Sequence, residues 1–322
     1  MNSPVAGGGP EAPRETAPHP DEVLLDGPWN HKLVHVRGQR LHVAECGAAS
    51  DPLVLLLHGV AGGWFDWRLV LESLADAPVH AVAVSGRGYG TSDRTPGGYS
   101  PMKAAADAAG LVRALGHSDA LVVGQGLGAL TAWTMAARHP GLVRGLVVGG
   151  MIHPVVWSRA SRRRPFSAPM RATWGSFARY ATVLGSIGRD GRSAARIARD
   201  TYALTGPGFA DTQFGVESAR LTRRALEAGS RDAALQHMAF LGSPLSAGRR
   251  RWLAELRKAG IPASRMFIGA ADPMWSRRML AASTTGEIGP EVLPGVGCLP
   301  SLEAPAQVTE IIRAGIRDAY GV

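Results

Sequence analysis

Gly124-Gln125-Gly126-Leu127-Gly128 stands between the apolar run Leu121-Val122-Val123 and a helical stretch from Ala129 to Arg138. Strand, sharp turn and helix in this order form the frame that lifts one nucleophilic side chain above a sheet edge. The lifted position here is Gly126, which has no side chain to offer. A nucleophile in such a frame needs a base, ordinarily a His presented by a late loop. Near the C-terminus, Leu293-Pro294-Gly295-Val296-Gly297 leads instead to Cys298. All ten histidines lie at or before His237, so none is available to replace it. Both positions that would carry the covalent chemistry are therefore occupied by residues that cannot perform it in the usual way.

The elements that must hold this frame are legible along the chain. Lys32 to Val36 and Leu41 to Ala44 read as short strands about a turn at Gly38-Gln39. Leu53 to Leu57 is continuously apolar, as suits a strand buried on both faces, and ends at His58-Gly59. A helix is expected over Asp66 to Ala75, then a strand over His80 to Val84. Ser100 caps a helix that starts at Pro101 and runs to about Leu115. Ala120 to Val123 is the strand before the turn, and Leu142 to Val148 is the next. This cadence predicts an α/β fold, a mostly parallel, doubly wound sheet. It breaks from His153 to about Gly248, a helical and basic stretch read as an inserted lid. It resumes at Arg265-Met266-Phe267-Ile268, followed by Asp272, a short strand near Glu291 to Leu293, and a last helix from about Pro305 to Ala319. The expected organisation is a disordered tail over 1–22, a core over 23–153 and 249–322, and a helical lid over 154–248.

The chain has 322 residues and is 45% hydrophobic, enough for a substantial core without covalent staples. Cys46 and Cys298 are expected as unpaired thiols, and metal-ligand spacing is absent. The net charge of +9 is unevenly placed. Residues 154–258 hold 19 Arg and Lys against 7 Asp and Glu, a net of +12, which leaves −3 for the rest. Arg outnumbers Lys 32 to 3, which points to coding bias and a solvated helical surface more than to a nucleic-acid face. The runs Arg162-Arg163-Arg164, Arg223-Arg224 and Arg249-Arg250-Arg251 belong to that surface, and attraction of an acidic partner or an anionic lipid surface is its functional alternative. No finger, helix-turn-helix or aromatic-interleaved basic strand supports nucleic acid. No spanning segment and no N-terminal signal is found, so a cytoplasmic protein is expected. No cofactor is expected, and oligomeric state is not encoded legibly.

Taken together, these residues resemble the α/β-hydrolase superfamily, over nearly everything from about Lys32 onward. The resemblance rests on His58-Gly59 after a strand, the Gly-x-x-x-Gly frame at 124–128, and Asp272 after a late strand. Finer features are similar to the epoxide hydrolase and haloalkane dehalogenase branch: Trp64-Phe65-Asp66-Trp67-Arg68, Arg87-Gly88-Tyr89-Gly90-Thr91-Ser92-Asp93, and His153-Pro154. That resemblance implies an Asp nucleophile at position 126, a His base at 298, and Asp272 as the acid that orients the base. It also implies a lid tyrosine in the region of Ala234 to Met238, where none stands. Tyr180 and Tyr202 are the remaining lid candidates, each more simply read as structural. Ser85 stands where the family often has an Asp.

A Cys is a poor base near neutrality, and a neighbouring Asp272 would raise its pKa further. Losing any member of a cooperating nucleophile and base set costs orders of magnitude in rate. The frame keeps binding chemistry even so. The amides of Val60 and Leu127 are expected to converge as a pair of donors. Trp64, Phe65, Trp67, Trp157 and Trp174 are expected around a pocket, with ordinary core packing as the competing reading. Gln125 is expected to point elsewhere. A buried Asp272 without a His must find local donors or carry a raised pKa. The leading expectation is a pseudo-hydrolase that binds a small apolar ligand or a protein partner. The alternative is an active hydrolase of the epoxide hydrolase or esterase type with a rearranged site, drawing on His58, His153, Ser85 or Cys298. A scaffold with a collapsed pocket is the third.

Overall fold

The computed structural model describes residues 18–185, 192–243, 245–285 and 288–322, without the side chains of 176–177 and 179–185. The Tyr180 side chain and most of the 1–22 tail therefore lie outside what is described. Pro20–Val23 form a short 3-10 turn whose Glu22 pairs with Arg224, so the end of that segment is tied to the fold.

Two strands open the sheet, β1 (Asn30–Val36) and β2 (Gln39–Cys46). Each is longer than expected, because their pairing runs from Val36 and Gln39 at the turn out to Asn30 and Glu45 at the far end. Arg37 and Gly38 have φ of 52° and 80° there, the backbone a tight hairpin requires. β3 (Leu53–Leu57) follows, then α1 (Arg68–Leu74), β4 (His80–Val84), α2 (Pro101–Ala114), β5 (Ala120–Gln125), α3 (Leu127–Arg138) and β6 (Val143–Gly149). The helix expected from Asp66 begins instead as a 3-10 turn, Trp64–Trp67, ahead of α1.

Among the described residues, six α-helices then intervene: α4 (Pro154–Arg163), α5 (Ala168–Gly185), α6 (Arg192–Tyr202), α7 (Gln213–Ala225), α8 (Arg231–Gly242) and α9 (Ala247–Ala259). The sheet resumes with β7 (Arg265–Gly269), α10 (Arg277–Ala281), β8 (Glu291–Leu293), α11 (Pro300–Glu303) and α12 (Pro305–Tyr320). The spatial order is β1-β2-β4-β3-β5-β6-β7-β8. The first two pairings, β1 with β2 and β2 with β4, are antiparallel, and the rest are parallel. The order reverses across β3 and β5, the switch point at which parallel sheets open a crevice at their C-terminal ends.

The sheet is buried on both faces, which explains its unbroken apolar strands. Leu53, Leu55 and Leu57 pack with α2 and α3 residues such as Val112 and Trp133. Val54 and Leu56 point the other way, toward Leu71, Ile312 and Ile316. No described helix is long and apolar enough to cross a membrane.

Glycines fix the turn between β5 and α3. A Cβ on Gly124 would lie 2.3 Å from the Gly128 carbonyl oxygen, and one on Gly128 would lie 2.0 Å from that of Leu57. Only glycine lets helix, strand and neighbouring strand approach this closely.

Candidate functional site

A cavity of about 200 Å³ lies between the C-terminal ends of β3, β5 and β6 and the helical insert. An engineered apolar cavity of roughly 150 Å³ is known to hold benzene, so this one suits a molecule of about ten heavy atoms. On the sheet side its wall is Gly59–Gly62, Asp66, Gln125–Leu127 and Leu130. On the insert side it includes Trp157, Asp200, Tyr202, Met238, Arg249 and Trp252.

Gly126 sits at the head of α3 with φ 57° and ψ −115°, a conformation that strains any residue with a side chain. A Cβ built there would meet only Gly59 Cα, at 3.5 Å, so the apex has room for a side chain that the sequence does not supply. Val60 and Leu127 both line the cavity, and neither backbone amide has an acceptor among the described residues.

Cys298 also reaches the wall. Its Sγ donates to the Thr201 carbonyl at 3.4 Å. Burial pushes the thiol pKa well above its ordinary value, and the carboxylates of Asp272 and Glu303 push it further. These effects hold the group toward its protonated form near neutrality.

Asp272 is 6% exposed and lies behind the wall, in the loop after β7. Its Oδ1 accepts from Met274 N at 2.9 Å, and its Oδ2 accepts from the Trp275 indole. Burial raises its pKa to about 6 in spite of those two donors, with Glu303 adding to the rise.

Four of the five aromatic residues expected around the pocket are elsewhere. Trp64 and Phe65 do not line the cavity; with Trp67 they are fully packed beneath α1 and α12. Trp64 Nε1 donates to the Val23 carbonyl at 2.8 Å, and its ring meets His31 edge-on at 4.8 Å. The indole therefore anchors the N-terminal segment. Trp157 does line the cavity, whereas Trp174 stands behind it, 39% exposed, with the two rings 5.9 Å apart. Gln125 does not point elsewhere. Its side chain is buried in the wall, where Oε1 accepts from Ser301 N at 3.0 Å and Nε2 has no acceptor.

The other candidates for a displaced constellation, His58, His153 and Ser85, lie off the cavity. His58 Nδ1 donates to the Gly59 carbonyl at 2.6 Å, and Nε2 accepts from Gly86 N at 3.0 Å, so both nitrogens are committed. His153 caps α4 through Val155 N and meets Trp133 edge-on. Burial lowers both imidazole pKa values to about 4. Ser85 Oγ is 3.3 Å from His42 Nδ1, deep in the sheet. No described histidine lines the main cavity.

Two polar wall residues were not singled out as site residues from the sequence. Asp66 is 2% exposed, its Oδ2 has no hydrogen-bond partner, and burial lifts its pKa to about 7 against the pull of Arg68. Arg249 is buried with its guanidinium 5.2 Å over the Trp157 ring. Tyr202 feels the charge of Asp66, and its hydroxyl lies 3.3 Å from that of Thr222.

An eight-stranded, mostly parallel sheet with this turn at its switch point defines an α/β-hydrolase fold. The alpha/beta hydrolase family matches residues 54–311, and the chain belongs to that family. It is 36% identical to epoxide hydrolase B of Mycobacterium tuberculosis over 121 residues, 36% of this chain and 34% of that protein. It is 34% identical to epoxide hydrolase 3 of Xenopus tropicalis over 145 residues, 44% of this chain and 39% of that one. The chain thus spans about a third of the length of the curated relatives it matches. The crystal structure of epoxide hydrolase A from Mycobacterium thermoresistibile superposes with a TM-score of 0.68 at 22% identity, covering 90% of this chain and 98% of that one. An epoxide hydrolase from an endophytic Streptomyces gives 0.70 at 24%, covering 91% and 98%. The likeness is to the epoxide hydrolase branch, as the motifs at 64–68 and 87–93 imply.

Proposed function

We propose that this chain is a catalytically silent member of its family that holds a small, largely apolar molecule in the cavity. One observation carries the reading: the apex of the elbow is a glycine with open space before it. The protonated thiol at Cys298 and the two free amides at Val60 and Leu127 support it. Those donors suit an acceptor oxygen on the ligand. Residues 154–248 act as the lid in this reading, and their surplus of arginine suits an acidic protein partner as a second contact.

The decisive experiment is turnover of a panel of epoxides and short-chain esters by the purified protein, run beside the Gly126→Asp, Cys298→His double variant. Silence in the native chain is the expected result, and steady turnover by it would sink the proposal.

Asp66 favours one rival reading. An ionised Asp66 could take a proton from water as the water oxygen bonds to an epoxide carbon and the ring C–O bond of that carbon breaks in the same step. The alkoxide so released, held by Val60 N and Leu127 N, takes a proton from solvent, and Asp66 returns its own to solvent. Native turnover that vanishes in Asp66→Asn would establish this route over the silent one.

A further inference from the structure

The wall of the cavity carries a cation with no counter-charge. Arg249 belongs to an apolar stripe of α9 with Trp252, Leu253 and Leu256, all turned inward. Its guanidinium forms no ion pair and no hydrogen bond with any described residue. Its only described partner is the face of Trp157, itself a wall residue. The charges that reach Arg249 make matters worse. Burial disfavours its charged form, and so does Arg162, which is also cationic. An arginine keeps its proton even so, and a buried charge without a partner is costly. Five donors in a planar fork match a carboxylate in two-point contact.

Cys298 feels Asp272, Glu303 and Asp66 together, whereas no carboxylate contributes to the state of Arg249. Asp200, the carboxylate that the insert adds to the wall, pairs with Arg196 and Arg199. An anionic ligand would be repelled from the elbow pole and received at the α9 pole. Trp157, Trp252 and Leu130 supply the apolar surface beside Arg249.

We propose that the cavity takes a small apolar carboxylic acid in its ionised form, with the carboxylate on Arg249 and the apolar body against Trp157 and Trp252. This rests on the reading of the cavity as a ligand site.

The test compares phenylacetate with its neutral isostere phenylacetamide, and with ethylbenzene, by calorimetry on the full chain at pH 7.5. A charged hydrogen-bonded pair in a water-poor site corresponds to roughly a 10- to 100-fold preference. The expected result is phenylacetate bound at least tenfold tighter than the amide, with the preference gone in Arg249→Gln and partly kept in Arg249→Lys. Equal binding of acid and amide by the native chain, or a preference untouched in Arg249→Gln, would overturn the proposal. If Arg249→Gln fails to fold, the native ratio and Arg249→Lys still decide it. Binding of amide and ethylbenzene without acid preference defeats the anion assignment alone. Binding of none of the three defeats the ligand-site reading with it.

Discussion

The two walls of the cavity were built under different constraints. On the sheet side, backbone atoms do the work: the apex at Gly126 and the amides of Val60 and Leu127 are placed by close strand and helix packing. On the insert side, side chains do it: Arg249, Trp157 and Tyr202 belong to three separate helices that meet around the cavity. Backbone geometry of the first kind is also what the sheet needs to fold. It persists whatever residue occupies the apex, so an intact frame is no evidence of intact chemistry. Only the side-chain positions, 126 and 298, speak to that.

The sharpest way to break this comparison is to add one methyl group to the frame. Gly128→Ala forces a Cβ to 2.0 Å from the Leu57 carbonyl oxygen, with backbone on both sides and nothing flexible to yield. A loss of about 4 kcal/mol or more, or failure to fold, is expected from urea denaturation, beyond ordinary overpacking. If Gly128→Ala folds with native stability, the claim that packing alone preserves the frame is wrong.

The sheet-side wall was largely readable from the chain, because its constraints are local. The spacing of Gly124, Gly126 and Gly128, the apolar runs and the His58-Gly59 pair each mark a backbone requirement. The insert-side wall was not, and Arg249 shows why. Read as part of Arg249-Arg250-Arg251, it belongs to a solvated basic surface. Consecutive helical residues point about 100° apart, however, so three in a row cannot share one face. Positions 249, 252, 253 and 256 fall on a single stripe, and that stripe is apolar but for its first member. Trp64 and Phe65 misled in the opposite direction, since aromatic size suits a core as well as a cavity. Asp66 gave no periodic signal at all, because it sits in a 3-10 turn.

Asp66 provides the next largest effect, now on the chemistry of the sheet-side wall. Its folded pKa of about 7 stands above its ordinary value of 3.8. The folded state therefore prefers the neutral acid. Whatever stability this carboxyl contributes is fully present below about pH 4 and is lost as pH rises through 7. Asp66→Asn should stabilise the protein relative to the native chain by on the order of 3 kcal/mol at pH 8, with the gain shrinking toward pH 4. Thermal melts at pH 4.5, 6 and 8 measure it. A gain that is the same at all three would show that Asp66 is ionised or solvated in the folded state.

A smaller effect separates the apex from its frame. Gly126→Ala meets only Gly59 Cα, at 3.5 Å, so its cost is conformational rather than steric. With φ at 57° that cost should be about 1–2 kcal/mol, well below the cost at Gly128. Equal losses at the two positions would mean that the apex is as tightly enclosed as the frame, and that no nucleophile could be restored there.

The smallest effect concerns how firmly α9, which carries Arg249, is fastened to the elbow helix. Trp252 Nε1 donates to Thr134 Oγ1 at 2.9 Å, and Thr134 in turn donates to the Leu130 carbonyl at 2.6 Å. Leu130 and Trp252 both face the cavity. This short chain of hydrogen bonds couples the two walls through the residues beside Arg249. Trp252→Phe removes the indole donor but leaves Thr134 its own acceptor, so no buried donor is stranded. The loss should be about 1–2 kcal/mol, mostly the space left by the smaller ring. Because the tether and the guanidinium share one helix, the same substitution should also weaken phenylacetate binding several-fold more than ethylbenzene binding. A variant that loses stability while both affinities fall equally would show that α9 only closes the cavity, and that the position of Arg249 on it carries no selectivity.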